Sequence, residues 1–200
     1  PAFGCKHSCT WCGGSRYFYS RYFDCRPGVV YRTRGSLFRE LESLRSSRKA
    51  VDIHSVGHWH EDENLLMPVL KKMKACNVRK VNFELWDFPA PAKIGKMARY
   101  VAPVFVCSIG STSAAVRRLC GQRAYPIREL DQWIKKAAAV SGVEIQLWFM
   151  VGLPGQTRES VKKDVVYCKR ILNAYKGKRV AVAITPMLGL DPGSMIYDDP

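Results

Sequence analysis

Cys5-Lys6-His7-Ser8-Cys9-Thr10-Trp11-Cys12-Gly13-Gly14 is the stretch from which the fold of this chain can be argued. It places three thiols within eight residues, in the spacing C-x3-C-x2-C, and two glycines follow them. Thiolates are soft ligands that suit iron–sulfur clusters, zinc and copper(I). A closed structural site normally takes four protein ligands, whereas three ligands leave one position open for a substrate. The spacing therefore indicates an open metal centre on Cys5, Cys9 and Cys12, with structural zinc or a chance grouping as the alternatives.

The size and composition of the chain indicate one globular domain. It has 200 residues, of which 47% are hydrophobic and 24% are charged, and these values are ordinary for a soluble domain. No apolar run reaches the roughly 18–20 residues of a membrane helix, and no signal peptide precedes the first cysteine. We therefore expect a cytoplasmic protein without a membrane span. Because the chain lacks an initiator Met, we also expect it to be a fragment of a longer protein.

The remaining cysteines are scattered singly along the chain. Three of the eight cysteines lie in the opening stretch, and the others are Cys25, Cys76, Cys107, Cys120 and Cys168. Cys107 lies in an apolar run, where a reduced and buried thiol is expected. This distribution is typical of a reducing compartment, where clustered cysteines indicate metal binding or catalysis rather than disulfides.

The chain is strongly basic, with a formal net charge of +15. Its Lys and Arg residues concentrate in segments 16–49, 71–80, 117–136 and 158–179. These residues either form solvated helix faces or attract a polyanion such as RNA. Segment 15–30 interleaves basic with aromatic residues, which can stack bases. We favour a loop that packs its rings against the domain and shields the metal centre.

Strand and helix patterns alternate along the chain. Strands are predicted at 50–56, 80–86, 104–109, 143–151 and 179–185, and helices at 36–44, 64–75, 93–100, 113–119, 127–140 and 158–175, with Ser36 and Thr157 as N-caps. Strand 143–151 is apolar at nearly every position, as expected when both faces are buried. This order predicts a parallel sheet with right-handed crossovers, whose first strand lies at or before Pro1. No strand is followed by a dinucleotide-binding or P-loop motif.

A second motif, Val151-Gly152-Leu153-Pro154-Gly155-Gln156-Thr157, follows the strand at 143–151. Glycines at a strand end let the backbone approach a ligand closely, and proline fixes the turn. Together with the three-cysteine stretch, this turn resembles the radical SAM superfamily. The resemblance implies an α/β fold over residues 1–200, a partial (β/α)6 TIM-like barrel with a truncated first strand. It places the cluster loop at 5–14, the barrel elements up to about 188, and a C-terminal loop at 189–200.

The resemblance also implies cofactors and site residues. Cys5, Cys9 and Cys12 would hold a [4Fe–4S] cluster, and S-adenosylmethionine (SAM) would chelate the fourth iron. Reductive cleavage of SAM would then give a 5′-deoxyadenosyl radical, with flavodoxin or ferredoxin as the reductant. In this family the glycines after the cysteines, Gly13 and Gly14, would abut the methionine moiety. The backbone of the later turn would line the adenine site, through Gly152, Leu153, Pro154 and Gly155.

Two further loops carry candidate site residues. Loop 57–62 contains two histidines and two acids. We expect His58 to act there as a proton donor or acceptor. The alternatives for this loop are a SAM contact, a second metal site or an exposed turn. Loop 108–113 matches the place where relatives hold the SAM ribose or carboxylate, and Gly110 stands where they carry an acid. The hydroxyls of Ser108, Ser111 or Ser113 could replace that acid, and Arg117 could pair with the SAM carboxylate, with a surface arginine as the alternative.

The segments at 26–33 and 190–194 look like those of radical SAM proteins with a cobalamin-binding domain, which would lie upstream of this chain. The implied reaction is hydrogen abstraction or cobalamin-dependent methyl transfer on an unknown substrate. A tRNA-modifying methylthiotransferase-like enzyme is the alternative within enzymes, suggested by the positive charge. A zinc-stabilised RNA-binding module is the alternative outside them.

Overall fold

Strands and helices alternate through the computed structural model, which describes residues 2–24, 28–45, 51–55, 61–185 and 189–199. In chain order the elements are β1 (Ala2–Phe3), α1 (Arg16–Phe23), β2 (Val30–Tyr31), α2 (Arg34–Leu44), β3 (Val51–Ser55), α3 (Glu63–Ala75), β4 (Val78–Leu85), α4 (Pro91–Ala98), β5 (Ala102–Gly110), α5 (Ala114–Leu119), α6 (Ile127–Ala137), β6 (Glu144–Met150), α7 (Arg158–Ala174), β7 (Val180–Thr185) and α8 (Met195–Asp198). The predicted alternation is confirmed for these residues.

A five-stranded parallel sheet is the framework on which the helices and the strand-end loops are arranged. Its strands pair in the order β3-β4-β5-β6-β7, so each strand lies beside its neighbour in sequence. Parallel strands joined in sequence by helical crossovers form an arc of a TIM-like barrel, which confirms the predicted fold class. β1 lies outside this arc and pairs antiparallel with β2, with Ala2 opposite Tyr31.

One face of the sheet is apolar and buried. It carries alternate residues of β4, β5 and β6, each at most 2% exposed: Val81, Phe83, Leu85, Phe105, Cys107, Ile109, Ile145, Leu147 and Phe149. Apolar residues of α3, α4, α6 and α7 complete the same core. Burying such a side chain contributes about 1.5–3 kcal/mol, so this layer holds the helices against the arc. Cys107 is buried and reduced, as predicted.

The other face of the sheet is polar and partly exposed. Lys80, Asn82 and Glu84 alternate along β4, and Gln146 and Trp148 lie on β6. We expected both faces of 143–151 to be buried, and this was wrong for Trp148, which is 39% exposed. The described helices supply core residues to the apolar face, so Trp148 on the opposite face keeps access to solvent.

Local hydrogen bonds set the helix boundaries. Thr157 caps α7 as predicted, in a reciprocal capping box with Ser160. α2 is capped by Thr33 and not by Ser36, because the Thr33 hydroxyl accepts a hydrogen bond from the Ser36 N–H. Residues 16–23, predicted as loop, form α1 behind the N-cap Ser15. Within the described ranges, no helix has the length and apolar character to cross a membrane.

Candidate cluster and cofactor site

The three cysteines of the opening stretch line one cavity. Cys5, Cys9 and Cys12 face it together with Trp86, the residue that follows β4. Its volume is about 250 Å³, far above the ~10–15 Å³ that admits a single water molecule. Cys9 is buried, at 7% exposure, and the other two cysteines are half-buried. The structure therefore gathers the predicted metal ligands around a common space.

Backbone amides already point at two of these sulfurs. The His7 N–H donates to Cys5 Sγ over 3.4 Å, and the Gly14 N–H donates to Cys12 Sγ over 3.3 Å. Such bonds favour the thiolate, whereas burial favours the neutral thiol. Burial is the larger effect, and it raises the pKa of Cys5 and Cys12. It also raises the pKa of Cys9 to about 12, so a metal must displace the thiol proton on binding.

The donor set suits an iron–sulfur cluster by its chemistry and by its shared cavity. Soft thiolates are the ligands that such clusters take, and hydrogen bonds to the sulfurs tune them. In the described part of the chain, no three His, Cys, Asp or Glu side chains already converge to hold a metal ion. Binding would therefore include a small convergence of the three thiols within the loop.

The segment after α5 supports the cysteine loop from one side. The Thr10 N–H donates to the Cys120 carbonyl over 3.2 Å. Gly121 has φ +66°, and a Cβ there would lie 2.1 Å from the Ser8 carbonyl oxygen. No side chain fits in that contact, so Gly121 allows the two backbones to pack directly against each other.

The C-terminal segment supports the loop from the other side. The Asp191 N–H donates to the Trp11 carbonyl over 3.1 Å, and the Gly13 N–H returns a bond of 3.1 Å to the Asp191 carboxylate. A Cβ on Gly13 would lie 2.7 Å from the Pro192 carbonyl oxygen. The absence of a side chain at Gly13 thus lets the loop meet this segment. A contact of Gly13 or Gly14 with the methionine moiety of SAM stays a prediction.

The Gly-Leu-Pro-Gly turn reaches the cysteine loop through one side chain. Leu153 is 3% exposed and belongs to a small buried cluster with Cys9, Trp11, Val116 and Cys120. Gly152 and Gly155 flank it with φ +96° and +71°, values that favour glycine. The two motifs that sequence analysis singled out, which lie about 140 residues apart, are therefore packed together.

Two side chains outside the predicted set hold this turn. The Gln156 Oε1 atom accepts from the N–H groups of Gly152 and Leu153, over 2.8 and 3.2 Å. Its Nε2 atom donates to the Met150 carbonyl over 3.0 Å and to the Asp164 carboxylate over 3.3 Å. Asp164 is 4% exposed. Sequence analysis missed it, because nothing local marks an acid in the middle of α7 as buried.

Asp164 also fixes the turn after β5. Its carboxylate accepts from the Ser111 hydroxyl over 2.9 Å and from the Thr112 N–H over 2.6 Å. Ser111 is fully buried. A contact of Ser111 with SAM stays a prediction, and it would need this hydroxyl to leave Asp164. Asp164 and Gln156 therefore join the two strand-end turns into one unit, which we call the polar latch.

Arg117 is buried rather than a surface residue of α5. It is 1% exposed, and its two terminal nitrogens donate to the carbonyls of Ser111 and Tyr125. Its guanidinium lies over the Tyr125 ring, 4.4 Å from the ring centre, and burial lowers its pKa. The predicted contact with the SAM carboxylate remains untested and would require Arg117 to give up these partners.

Ser108 lies on the polar face of the sheet. Its hydroxyl donates to the Glu84 carboxylate over 3.4 Å, so it stands beside an acid that sequence analysis did not single out. Pro154 and Gly155 lie on the outer part of their turn, and their predicted adenine contacts remain predictions. His58 and most of loop 57–62 lie outside the described residues, and the role expected of His58 stays a prediction.

No family model and no curated protein matches the chain. Several solved structures do match the chain. The radical S-adenosylmethionine methyltransferase TsrM from Kitasatospora setae, solved with cobalamin and a [4Fe–4S] cluster, superposes with a TM-score of 0.69 at 15% identity, over 98% of this chain and 35% of that one. The Escherichia coli coproporphyrinogen III oxidase HemN, a radical SAM enzyme, gives 0.59 at 15% identity, over 93% and 43%. Methylornithine synthase PylB gives 0.62 at 12% identity, over 98% and 54%.

The chain has the fold of the radical SAM enzymes. It spans between 35% and 54% of the length of these solved proteins. At identities of 12–15% the likeness concerns the fold alone.

One further group in this radical SAM fold ties the cysteine loop to the arc. The Asp87 carboxylate, which follows β4, lies 2.7 Å from Lys6 Nζ, 3.5 Å from His7 Nε2 and 3.2 Å from the Arg123 guanidinium. These partners, with His7 first, hold the pKa of Asp87 well below its usual range. Sequence analysis missed this group, because its members come from three separate loops.

Proposed function

We propose that this chain is the catalytic core of a radical SAM enzyme. The observation that carries the proposal is the packing of Leu153, from the Gly-Leu-Pro-Gly turn, against Cys9 beside a cavity lined by all three cysteines. A cluster held by the thiols and a cofactor held by the turn would then be neighbours. The fold shared with known radical SAM enzymes supports the same proposal.

The residues of the two motifs have separate roles in this proposal. Cys5, Cys9 and Cys12 would hold a [4Fe–4S] cluster through their thiolates. When bound, such a cluster supplies the electron for reductive cleavage of SAM. The glycines of both motifs let the backbone approach SAM, and the polar latch holds the Gly152–Leu153 amides in place. Trp86 forms part of the wall of the cavity.

The finer assignment is cobalamin-dependent methyl transfer, with hydrogen abstraction as the other outcome. TsrM, a methyltransferase solved with cobalamin, superposes with a TM-score of 0.69, against 0.62 for PylB and 0.59 for HemN, which favours this assignment. The cobalamin would come from an upstream domain. We further propose a flavodoxin or ferredoxin as reductant and a cytoplasmic location. The nucleic-acid partner and the methylthiotransferase-like alternative rest on the net charge of +15 and stay predictions.

Anaerobic reconstitution with iron and sulfide tests the proposal. The expected product is brown, gives a [4Fe–4S]⁺ EPR signal after dithionite that SAM perturbs, and forms 5′-deoxyadenosine. Cys9→Ala should lose the cluster, whereas Cys168→Ala, which changes a buried thiol of α7, should keep it. A colourless protein with one bound zinc would instead favour the zinc-stabilised RNA-binding module, and a Cys9→Ala variant with intact EPR signal would refute the ligand assignment.

A further inference from the structure

The outward side of α7 is strongly basic. Segment 158–179, which comprises α7 and the turn after it, holds eight Lys or Arg residues and two acids. One of these acids, Asp164, is buried, and its carboxylate is taken up by hydrogen bonds inside the fold. Six exposed cations of this segment form what we call the basic face: Lys162, Lys163, Lys169, Arg170, Lys176 and Lys178.

Most of the basic face has no acidic partner. Lys162 lies 3.8 Å from Glu159, and Arg170 lies 2.9 Å from Asp131 of α6. Among the residues that the structure describes, the other four cations form no ion pair. An exposed ion pair contributes only about 0–1 kcal/mol, so stabilisation of the fold does not account for this accumulation of charge. The basic face is therefore able to neutralise an anion from outside the chain.

The fold presents these cations along a straight rod. The opposite side of α7 is held in the core by Tyr167, Cys168 and Ile171, which are buried. The 17 residues of α7 span about 26 Å. Lys162 and Lys169 lie seven positions apart, which is about 10.5 Å along the same side of the helix. The basic face thus offers positive charge at regular intervals over the length of α7.

An open groove lies between the basic face and α6. It has a volume of about 500 Å³ and is lined on the α7 side by Lys162, Lys163 and Arg170. Thr112, which belongs to the turn held by the polar latch, also lines it. Glu159 is an acid in this wall, and Lys162 balances its charge. The groove is therefore positively charged and leads towards the strand-end turns.

The composition of the basic face favours a nucleic acid over other anionic partners. Five of its six members are lysines. Lysine is depleted in protein–protein interfaces, whereas nucleic-acid interfaces are wet and strongly positive. A membrane-surface helix needs an apolar face opposite its basic one, and in α7 that opposite face is buried in the core. A duplex carries one negative charge per ~1.7 Å of its axis, which is about 15 charges over the length of α7.

We propose that the basic face binds the phosphate backbone of a nucleic-acid duplex, with one strand entering the groove between α6 and α7. The contacts are made to phosphates, so the surface positions the nucleic acid without reading its sequence. This partner goes beyond the function proposed for the cysteine site, and its binding requires neither cluster nor SAM.

Fluorescence anisotropy with a labelled RNA duplex of about 20 base pairs tests this proposal on the whole chain. The expected dissociation constant is ~1–100 µM at physiological salt, and the logarithm of the association constant should fall with that of the salt concentration with a slope of about −4, for about four neutralised phosphates. Lys163→Gln combined with Lys169→Gln should weaken binding at least tenfold and reduce the slope by about 2. Lys71→Gln combined with Lys96→Gln, which makes the same change of net charge on α3 and α4, should change the affinity less than twofold.

Three results would overturn the proposal: the absence of salt-dependent binding, an equal loss of affinity in the two double variants, or a single strand of the same length that binds more tightly than the duplex. Displacement of the duplex by polyglutamate or by phosphatidylserine vesicles, at equal concentrations of charge, would also overturn it and would assign the face to an acidic protein or to a membrane. Duplexes of RNA and DNA with one sequence show which of the two backbones is preferred, and either preference supports the proposal.

A second double variant keeps the test independent of folding defects. Thermal midpoints show whether each variant is folded, and Lys176→Gln combined with Lys178→Gln replaces the first pair if that pair is not, with a severalfold loss of affinity expected. Because duplex binding is measured without cluster or SAM, it can succeed when 5′-deoxyadenosine formation fails, and it can fail when that reaction succeeds. Failure of this assignment is thereby distinguished from failure of the proposed function.

Discussion

Replacement of Asp164 should uncouple the two strand-end turns. Its Oδ1 atom accepts from the Thr112 N–H, and its Oδ2 atom accepts from Ser111 and Gln156. In Asp164→Asn the amide oxygen can serve Thr112, and the Ser111 hydroxyl can rotate to accept from the new NH₂ group. The Gln156 NH₂ group cannot adapt, because its own amide is fixed by Gly152, Leu153 and Met150.

The expected cost follows from which bonds are lost. Asp164→Asn should lower the free energy of unfolding by about 1–3 kcal/mol, the cost of one half-buried donor without an acceptor together with the lost charge. Asp164→Ala removes every acceptor and leaves the buried donor of Ser111 and the half-buried donors of Thr112 and Gln156 without partners, which should cost about 3–5 kcal/mol. For a domain with ~5–15 kcal/mol of total stability, the alanine variant would be close to unfolding.

Urea unfolding of a double-mutant cycle measures this coupling. In a Gln156→Leu background the contact with Asp164 is already gone, so Asp164→Asn should cost at least about 1 kcal/mol less than in the unmodified chain. A cost of Asp164→Asn that is the same in both backgrounds would refute the polar latch as the link between the turns.

Three further predictions concern single positions. Gly155→Ala should lower stability by about 1–2 kcal/mol, because φ is +71° there, whereas Gly95→Ala inside α4, with open space around its Cβ, should raise it by about 0.5–1 kcal/mol; thermal unfolding compares the two. Arg117→Lys should cost about 2–4 kcal/mol in urea unfolding, because a lysine cannot serve the Ser111 and Tyr125 carbonyls together; a neutral substitution would contradict its buried role. Burial raises the pKa of Cys168 to about 11, above the ~8.5 of an unfolded thiol, so its contribution to stability is fully present below pH 8.5 and is lost as pH rises towards 11. Cys168→Ala should flatten this alkaline decline, and unchanged pH dependence would contradict it.

The sequence predicted the arc of parallel strands well, because hydrophobic periodicity is a local property. Strands with apolar residues such as Val81, Phe83 and Leu85 were placed within two or three residues of their observed ends. α1 was missed, because its Tyr and Phe side chains have weak helix propensity, and its N-cap Ser15 directly follows two glycines, which are typical of a loop.

The candidate site was predictable only where its residues are close in sequence. The three cysteines were recognised by their spacing, and the Gly-Leu-Pro-Gly turn was recognised by its residue types. The partners of Asp164 and Asp87 were not predictable, because Thr112 lies 52 positions from Asp164, and Arg123 and Lys6 lie 36 and 81 positions from Asp87. Glu84 was not singled out for a related reason. The alternation of its strand indicates on which face of the sheet Glu84 lies, but it does not indicate which residues of the neighbouring strands lie beside it.

The support of the cysteine loop by the C-terminal segment has a consequence for biogenesis. Gly13 and Asp191, which bond to each other, are separated by 178 positions. At ~5–20 residues per second, a ribosome needs about 10–35 s to synthesise the intervening chain. Throughout that interval the nascent chain lacks the C-terminal segment that supports the cysteine loop. Its three thiols are then exposed to oxidants and to competing metals. Contacts of such long range form late in folding, so delivery of a cluster would be productive chiefly after synthesis of this segment, and a translational pause shortly before Asp191 should prolong the vulnerable period.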